Sequence, residues 1–240
     1  MNTTCDELLN GKLKLIQPKQ GPRVNLDTVL LASWVRFRAR HNNYIELGCA
    51  AGAVTIMLAQ RNLKINITGV DIQEDLIMLA RENLSLNNFN DSERIKFIAG
   101  DLRDKKILPE QFFDAAIMNP PYTSNKHGRA SGNKSRMTAR IDDNCTPEDL
   151  ARAVYRILKS RGRFFTVFKS ERMAEFLAVM IKFKLMPKRI KFIFPKHGSD
   201  SNIFLCEFIK DGGEILEIMP PMFVYNSDGS YTEELLSAYN

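Results

Sequence analysis

The most constraining feature of this chain is a regular alternation of strand-like and helix-like segments between residues 44 and 194. Short apolar runs alternate with longer segments in which apolar residues recur at helical spacing. Strands separated by helices pair in parallel, because each helix carries the chain back across the sheet. The sequence therefore predicts a single α/β domain over residues 1–240, with a doubly wound, mostly parallel seven-stranded sheet covered by helices on both faces.

The predicted elements follow one another with short connections. The strands are expected at 44–47, 65–70, 95–99, 112–118, 163–168, 189–194 and 203–208, and the helices at 53–61, 74–87, 146–160 and 171–184. Thr146 is expected to cap the third of these helices, because Pro147 follows at its first turn. Residues 1–40 precede the first predicted strand and contain one further helix candidate, 26–37.

Composition and charge narrow the class of protein. Hydrophobic residues make up 44% and charged residues 26%, as in ordinary globular proteins. No apolar run approaches the roughly 18 residues of a membrane helix, and the four cysteines form no CxxC pair, so a reduced, cytoplasmic protein is expected. The three histidines occur singly, so no metal site is expected. Separately, we expect a monomer or weak homodimer. The net charge of +6 favours a polyanionic partner.

The first predicted strand runs into a turn of small residues, 48–52, that precedes a helix. Such a turn lets a ligand approach the backbone and the positive end of the helix. A dinucleotide site needs the spacing GxGxxG, whereas here Gly48 and Gly52 are separated by three residues and the middle position is Ala50. Glu46 would repel a pyrophosphate but suits a cation such as the ammonium group of a methionine moiety.

Two further acids follow the next two predicted strands. Asp71 is positioned to accept hydrogen bonds from ribose hydroxyls, and Asp101 could accept one from an adenine amino group. Each acid alone could be a solvated carboxylate at a strand end. Their joint order matches an S-adenosylmethionine (SAM) site better than a nicotinamide site. The candidate cofactor-binding residues in this region are Glu46, Gly48, Cys49, Ala50, Gly52, Asp71, Ile72, Asp101 and Leu102.

The fourth predicted strand is followed by Asn119-Pro120-Pro121-Tyr122. Exocyclic amino groups are poor nucleophiles because the nitrogen lone pair is delocalised. The side-chain oxygen of Asn119 and the carbonyl of Pro120 could accept both N–H hydrogens, and the prolines fix the backbone. Tyr122 could stack on an extruded base. We take Asn119, Pro120 and Tyr122 as candidate catalytic residues; the alternative is a proline turn with a capping asparagine.

A long connection, 123–145, is rich in small, polar and basic residues and is expected to be a substrate loop. Its basic residues have no acid between them and could bind phosphates; they are Lys126, Arg129, Lys134, Arg136 and Arg140. A second basic stretch, 182–196, interleaves lysines with phenylalanines. It fits an RNA surface and an amphipathic strand equally well, so both interpretations stay open.

The motif at 119–122 resembles the amino-methyltransferases that carry N/D-P-P-Y, which act on adenine in DNA or RNA, on guanine N2 in rRNA, or on protein glutamine. Three longer segments, 17–32, 132–140 and 220–232, resemble the bacterial tRNA1(Val) adenine-37 N6-methyltransferase family more specifically. The resemblance spans nearly the whole chain. It implies a Rossmann-like class I methyltransferase fold with a short N-terminal extension.

The resemblance also implies a reaction and a set of contacts. It implies methyl transfer from SAM, leaving S-adenosylhomocysteine, to the N6 amino group of an adenine in tRNA, with A37 of a valine tRNA as the expected target. Gly48, Asp71, Asp101 and Asn119 are then expected to touch SAM or the target base. Residues 1–40 would cover the cofactor, through Asn25, Asp27 and Thr28.

Other functions remain as alternatives. A protein-glutamine N5-methyltransferase acting on a translation factor shares the chemistry, but such enzymes resemble a catalytic domain preceded by a helical domain, for which residues 1–40 leave little room. A DNA adenine methyltransferase usually needs a sizeable target-recognition domain. A non-catalytic SAM-binding RNA chaperone has no need for paired acceptors at 119–120.

Overall fold

The computed structural model describes residues 1–89, 92–120 and 145–239. Its strands are β1 Thr3–Leu8, β2 Leu13–Pro18, β3 Asn43–Leu47, β4 Asn66–Asp71, β5 Ile95–Ala99, β6 Phe113–Met118, β7 Leu158–Lys169, β8 Leu185–Phe194, β9 Ile203–Lys210, β10 Glu217–Ile218 and β11 Met222–Phe223. Its helices are α1 Leu26–Trp34, α2 Ala53–Arg61, α3 Glu74–Leu86, α4 Pro147–Ile157, α5 Met173–Lys182 and α6 Glu233–Ser237.

One large sheet organises the described part of the chain. Its strand order is β10-β8-β9-β7-β6-β3-β4-β5, and β11 also pairs with β8. Five neighbouring strands are parallel to one another, namely β7, β6, β3, β4 and β5. Strand β9 lies between β7 and β8 and is antiparallel to both. The predicted mostly parallel sheet with seven main strands is therefore confirmed, and the two-residue strands β10 and β11 extend it at one side.

The parallel strands bring their carboxyl ends to one edge of the sheet. We call this the carboxyl edge; it contains the residues that follow β3, β4, β5 and β6. The opposite amino edge contains the starts of the same strands. Strand β8 runs in the same direction as β7, because both are antiparallel to β9, so β8 begins at the amino edge.

Helices cover both faces of the sheet, as predicted. One apolar cluster contains buried side chains of α1, α2 and α3, such as Leu30 and Ile56. A second cluster contains those of α4 and α5, such as Leu150 and Phe176. Among the described helices, none has the length and apolar character needed to cross a membrane.

Several element ends differ from the predictions. Helix α4 ends at Ile157 rather than near residue 160, because Leu158 is already extended and pairs with Phe113 in β6. Helix α1 ends at Trp34 rather than at 37, because Val35 is extended. Strand β8 begins at Leu185, before the predicted start at 189, and a register shift lies within that extra stretch.

The N-terminal segment contains an antiparallel hairpin, β1–β2, that the sequence analysis did not predict. The hairpin is a separate two-stranded sheet. Leu13 and Leu15 alternate with a less buried Lys14 and are almost completely buried in the first apolar cluster. The expectation that the first strand begins near residue 44 is therefore wrong.

A buried asparagine attaches this hairpin to the domain. The Asn83 side chain in α3 donates to the carbonyl oxygens of Ile16 (2.9 Å) and Ala51 (3.0 Å) and accepts from the Ile16 amide (2.6 Å). One helical turn further on, Asn87 makes a similar pair of bonds with Lys14. The hydrogen bonds of Asn83 are shielded from water, because its side chain is 0% exposed.

Replacing Asn83 with alanine should lower the free energy of unfolding by about 2–4 kcal/mol, because buried backbone groups of Ile16 and Ala51 lose their partners. The matched change Asn87→Ala should cost about 1 kcal/mol or less, since water can replace bonds made at the surface. Urea denaturation of the three proteins measures both effects. Equal losses in the two variants would contradict the anchoring role of Asn83.

Candidate functional site

The turn between β3 and α2 has an unusual backbone. Gly48, Ala50 and Gly52 have φ values of +67°, +47° and +83°, in the left-handed region. A Cβ atom on Gly52 would lie 2.8 Å from the ring of Phe97 and 3.0 Å from Ala80, so only glycine fits there. Ala50 adopts a conformation that costs an L-residue roughly 1–2 kcal/mol, so other contacts must hold the turn in place.

Asp71 supplies one of those contacts from the end of β4. Its Oδ2 accepts the Ala50 amide at 2.9 Å, and its Oδ1 accepts the Gln73 amide at 2.9 Å. The side chain is nearly buried, and this burial raises the pKa of the carboxyl group. The Gln73 side chain and the Ile72 amide also donate to this carboxylate. A carboxylate accepts about four hydrogen bonds, so a ligand that uses Asp71 must take the place of one of these donors.

Glu46 is buried beneath the start of α2. Its Oε2 accepts hydrogen bonds from the Thr55 amide (2.7 Å) and the Thr55 hydroxyl (2.5 Å). Burial raises the pKa of Glu46 to about 8, although the two bonds from Thr55 act in the opposite direction. Near neutral pH the group can thus gain or lose a proton in response to a nearby charge.

Asp101, after β5, is paired with Arg103. The Arg103 Nε donates to both carboxylate oxygens, at 2.9 and 3.0 Å, and the Arg103 amide donates to Oδ1 at 2.9 Å. These bonds lower the pKa of Asp101. Arg103 is not among the predicted site residues, although the D-x-R spacing is visible in the sequence. A ligand that uses Asp101 must share its carboxylate with this guanidinium.

A cavity of about 250 Å³ opens at the carboxyl edge. Its wall is mostly apolar, with a few polar groups, as is common for small-molecule sites. The predicted residues that it brings together are Gly48, Ala50, Asp71, Ile72, Asp101, Leu102 and Asn119. Its lining also includes residues that were not predicted, among them Pro22, Gln73, Arg103 and Cys145; Cys145 carries no sequence signal for this position.

Two smaller cavities lie beside this one, which we call the main cavity of the carboxyl edge. One of about 120 Å³ shares Gly48, Ala50 and Asn119 with it and adds the predicted residues Thr28, Glu46 and Cys49. The other, of about 50 Å³, is lined by Pro120, Phe168, Arg172 and neighbouring apolar residues. Asn119 and Pro120 thus lie where the main cavity meets the third one, which also contains Met118 and Cys145.

The N-terminal segment reaches this region through Pro22, which lines two of the cavities. Arg23 fixes the segment by bonding Asp6 (2.8 Å) and the Pro18 carbonyl (2.8 Å). Asn25 and Asp27 line none of these cavities. The Asn25 side chain instead accepts the Thr28 amide at 3.0 Å as the cap of α1.

Other predicted residues lie away from the cavities or outside the described structure. Gly52 begins α2 and packs against Phe97 without lining a described cavity. The candidate residues Tyr122, Lys126, Arg129, Lys134, Arg136 and Arg140 lie outside the described residues. Within residues 1–89, 92–120 and 145–239, no group of three or more His, Cys, Asp or Glu side chains is arranged to hold a metal ion.

The raised pKa of Glu46 predicts how stability depends on pH. Its folded pKa of about 8 exceeds the usual 4.5, so protonated Glu46 favours the folded state. This contribution to stability is complete below about pH 4.5 and is lost as pH rises through 8. The loss is on the order of 5 kcal/mol, since each pKa unit corresponds to about 1.4 kcal/mol. Glu46→Gln should therefore melt above the wild type at alkaline pH, and the difference should shrink on acidification.

Thermal melts between about pH 5 and pH 9 measure this effect. Glu82→Gln, at an exposed position of α3, serves as the matched control and should follow the wild type throughout. A melting difference between Glu46→Gln and wild type that does not vary with pH would show that Glu46 does not titrate in this range.

Proteins of similar sequence or fold are methyltransferases. The chain is 27% identical over 216 residues to the tRNA1(Val) (adenine(37)-N6)-methyltransferase of Bacteroides thetaiotaomicron, covering 90% of this chain and 82% of that protein. A predicted O-methyltransferase from Agrobacterium tumefaciens superposes with a TM-score of 0.72 at 24% identity, over 89% of this chain and 96% of that one. The second comparison establishes the fold.

A more distant solved structure contains the demethylated cofactor. Geranyl diphosphate C-methyltransferase from Streptomyces coelicolor, in complex with S-adenosyl-L-homocysteine, matches with a TM-score of 0.51 and 13% identity, over 70% of this chain and 71% of that one. Residues 39–188 match the family model described as a methyltransferase domain, which is more than half of the chain. The protein therefore belongs to the methyltransferase domain family and is a SAM-dependent methyltransferase.

Proposed function

We propose that this protein transfers the methyl group of SAM to the N6 amino group of an adenine in tRNA, with A37 of a valine tRNA as the target. The observation that carries the proposal is the position of Asn119 and Pro120, at the end of β6 and between the main and third cavities. The relative from Bacteroides thetaiotaomicron, matched over 90% of this chain, is named for that reaction.

The main cavity suits the cofactor chemically. SAM presents hydrogen-bond donors and positive charge, through its ribose hydroxyls, adenine amino group, ammonium and sulfonium. The cavities at the carboxyl edge present acceptors, with Asp71 and Asp101 along the main one and Glu46 in the adjoining one. In this proposal Asp71 holds the ribose, Asp101 the adenine and Glu46 the ammonium, while Gly48 lets the ligand approach the backbone.

Asn119 and Pro120 orient the target nitrogen. When the Asn119 side-chain oxygen and the Pro120 carbonyl accept the two N–H hydrogens, the amino group is held so that its lone pair can point toward the cofactor cavity. SAM supplies a methyl group on a sulfonium, so the remaining requirement is alignment, which a rigid site provides. Tyr122 is proposed to stack on the extruded base.

The choice of RNA rests on charge and on the relatives. The chain has a net charge of +6, and the basic residues of 123–145 follow directly on the proposed amino-group site. Lys126, Arg129, Lys134, Arg136 and Arg140 are proposed to bind phosphates. Glutamine methylation and DNA adenine methylation use similar amino-group chemistry, so the substrate experiment includes both.

The purified protein should be incubated with labelled SAM and, separately, with total tRNA, duplex DNA and a release-factor protein. The proposal expects label in tRNA, recovered as N6-methyladenosine after digestion. Label only in the protein substrate or only in DNA would overturn the tRNA assignment and leave the cofactor site intact. No label in any substrate, with SAM still bound, would indicate a non-catalytic SAM-binding protein.

Asn119→Ala should lower kcat by about 10²–10³, by analogy with the loss of one preorganised polar partner in an active site. Asn119→Asp keeps a side-chain oxygen and should retain more activity than the alanine variant. Calorimetric SAM titration checks the cofactor site independently, and its Kd should stay close to that of the wild type. Full activity of Asn119→Ala would exclude Asn119 from recognition of the amino group.

Changing Arg136 and Arg140 to glutamine should weaken tRNA binding and flatten its dependence on salt. The slope of log K against log salt should fall by about 0.7–0.9 for each phosphate that the variant no longer neutralises. Lys64→Gln, at an exposed position between α2 and β4, is the control and should leave the slope unchanged. An unchanged slope in the double variant would remove these two arginines from the RNA interface.

A further inference from the structure

A buried charge cluster lies near the amino edge, away from the cofactor cavity. Glu207 of β9 is 0% exposed, and Arg189 of β8 and Arg163 of β7 are 6% and 8% exposed. The Arg189 Nε donates to Glu207 Oε2 at 2.5 Å, and Arg163 pairs with Glu207 Oε1. Two buried guanidinium cations therefore share one carboxylate, and the cluster keeps a net positive charge.

Two buried donors in this cluster lack partners. The Arg189 Nη2 and the Trp34 indole Nε1 have no hydrogen-bond partner among the described residues, while Glu207 Oε1 has its ion pair with Arg163 and no hydrogen bond. The two side chains are in contact, because the Arg189 guanidinium carbon lies 4.1 Å from the centre of the Trp34 ring. Buried donors are usually paired, since leaving one unpaired is costly. Unpaired donors beside an excess of positive charge point to an anionic acceptor.

The surroundings add more positive charge. Arg36 and Arg38, both exposed, follow α1, and each lowers the pKa of Arg163 and Arg189. Burial is the larger cause, and together these effects bring the pKa of both buried arginines to about 10. The nearby acids are Glu217, which faces Arg189, and Asp114, whose carboxylate already pairs with Lys159 at 2.8 Å.

We propose that the amino-edge arginine cluster, defined as Arg36, Arg38, Arg163 and Arg189 with Trp34, binds a phosphate group. Guanidinium forks match the geometry of phosphate oxygens, and the indole N–H adds a further donor. The site is separate from the cofactor cavity, because a strand of six residues spans roughly 20 Å between the two edges. The phosphate belongs either to a small phosphorylated molecule or to an RNA backbone.

Trp34 is the only tryptophan in the chain, so its fluorescence reports directly on this cluster. Titration with inorganic phosphate or pyrophosphate, at constant ionic strength and without SAM or RNA, should change the emission saturably. The melting temperature should rise by about 5–10 °C at a ligand concentration near 100 times the Kd. No saturable change with phosphate, pyrophosphate or tRNA would overturn the proposal.

Variants separate binding from folding. Arg36→Ser with Arg38→Ser changes only exposed side chains and should weaken phosphate binding about 10-fold or more without lowering the ligand-free melting temperature. Arg189→Lys should weaken it further, because lysine cannot reproduce the fork. Lys105→Ser, exposed on the carboxyl edge, is the control and should bind phosphate as the wild type does. Unaltered affinity in both arginine variants would overturn the assignment.

The two sources of phosphate are then distinguished with tRNA. If tRNA displaces pyrophosphate and the Arg36/Arg38 variant loses tRNA affinity, the site binds RNA backbone. If tRNA leaves Trp34 emission unchanged while pyrophosphate alters it, the site binds a small phosphorylated molecule. Neither readout depends on methyl transfer, so a failure of the proposed reaction and a failure of this site give different results.

Discussion

The carboxylate of Asp71 holds together the two turns on which the cofactor cavity depends. By accepting the amides of Ala50 and Gln73, it fixes the turn after β3 to the turn after β4. The first of these turns contains an alanine in the left-handed region, which the bond to Asp71 helps to retain. Both turns line the cavity. The shape of the cavity therefore depends on the one side chain that ties both turns together.

The central sheet and the general position of the site could be predicted from sequence, because both follow from local patterns. Apolar runs separated by helical segments predict parallel strands, and parallel strands bring their following residues to one edge. That rule was enough to predict that Asp71, Asp101 and Asn119 lie at one edge, and all three line the same cavity. The pairing of Asp101 with Arg103 was not predicted, because it depends on the orientation of side chains that the strand pattern does not determine.

Contacts between distant segments could not be predicted. The hairpin did carry a local signal, since Asn10 and Gly11 form a turn with positive φ between two alternating runs, but its attachment to Asn83 had no counterpart in sequence. The shared carboxylate of Glu207 is a similar case. Arg163, Arg189 and Glu207 come from three strands, and the sequence of no single strand indicates that the three side chains meet.

The attachment of the hairpin through Asn83 has a consequence for the order of folding. Ile16 and Asn83 are 67 residues apart, so the hairpin has no partner in α3 until that much more chain has been synthesised. At translation rates of about 5–20 residues per second, this interval is about 3–13 s. During it, Leu13 and Leu15 lack the α3 side of their final environment. Leu15 also lines the cavity of about 120 Å³, so that cavity cannot take its final shape before α3 has been synthesised.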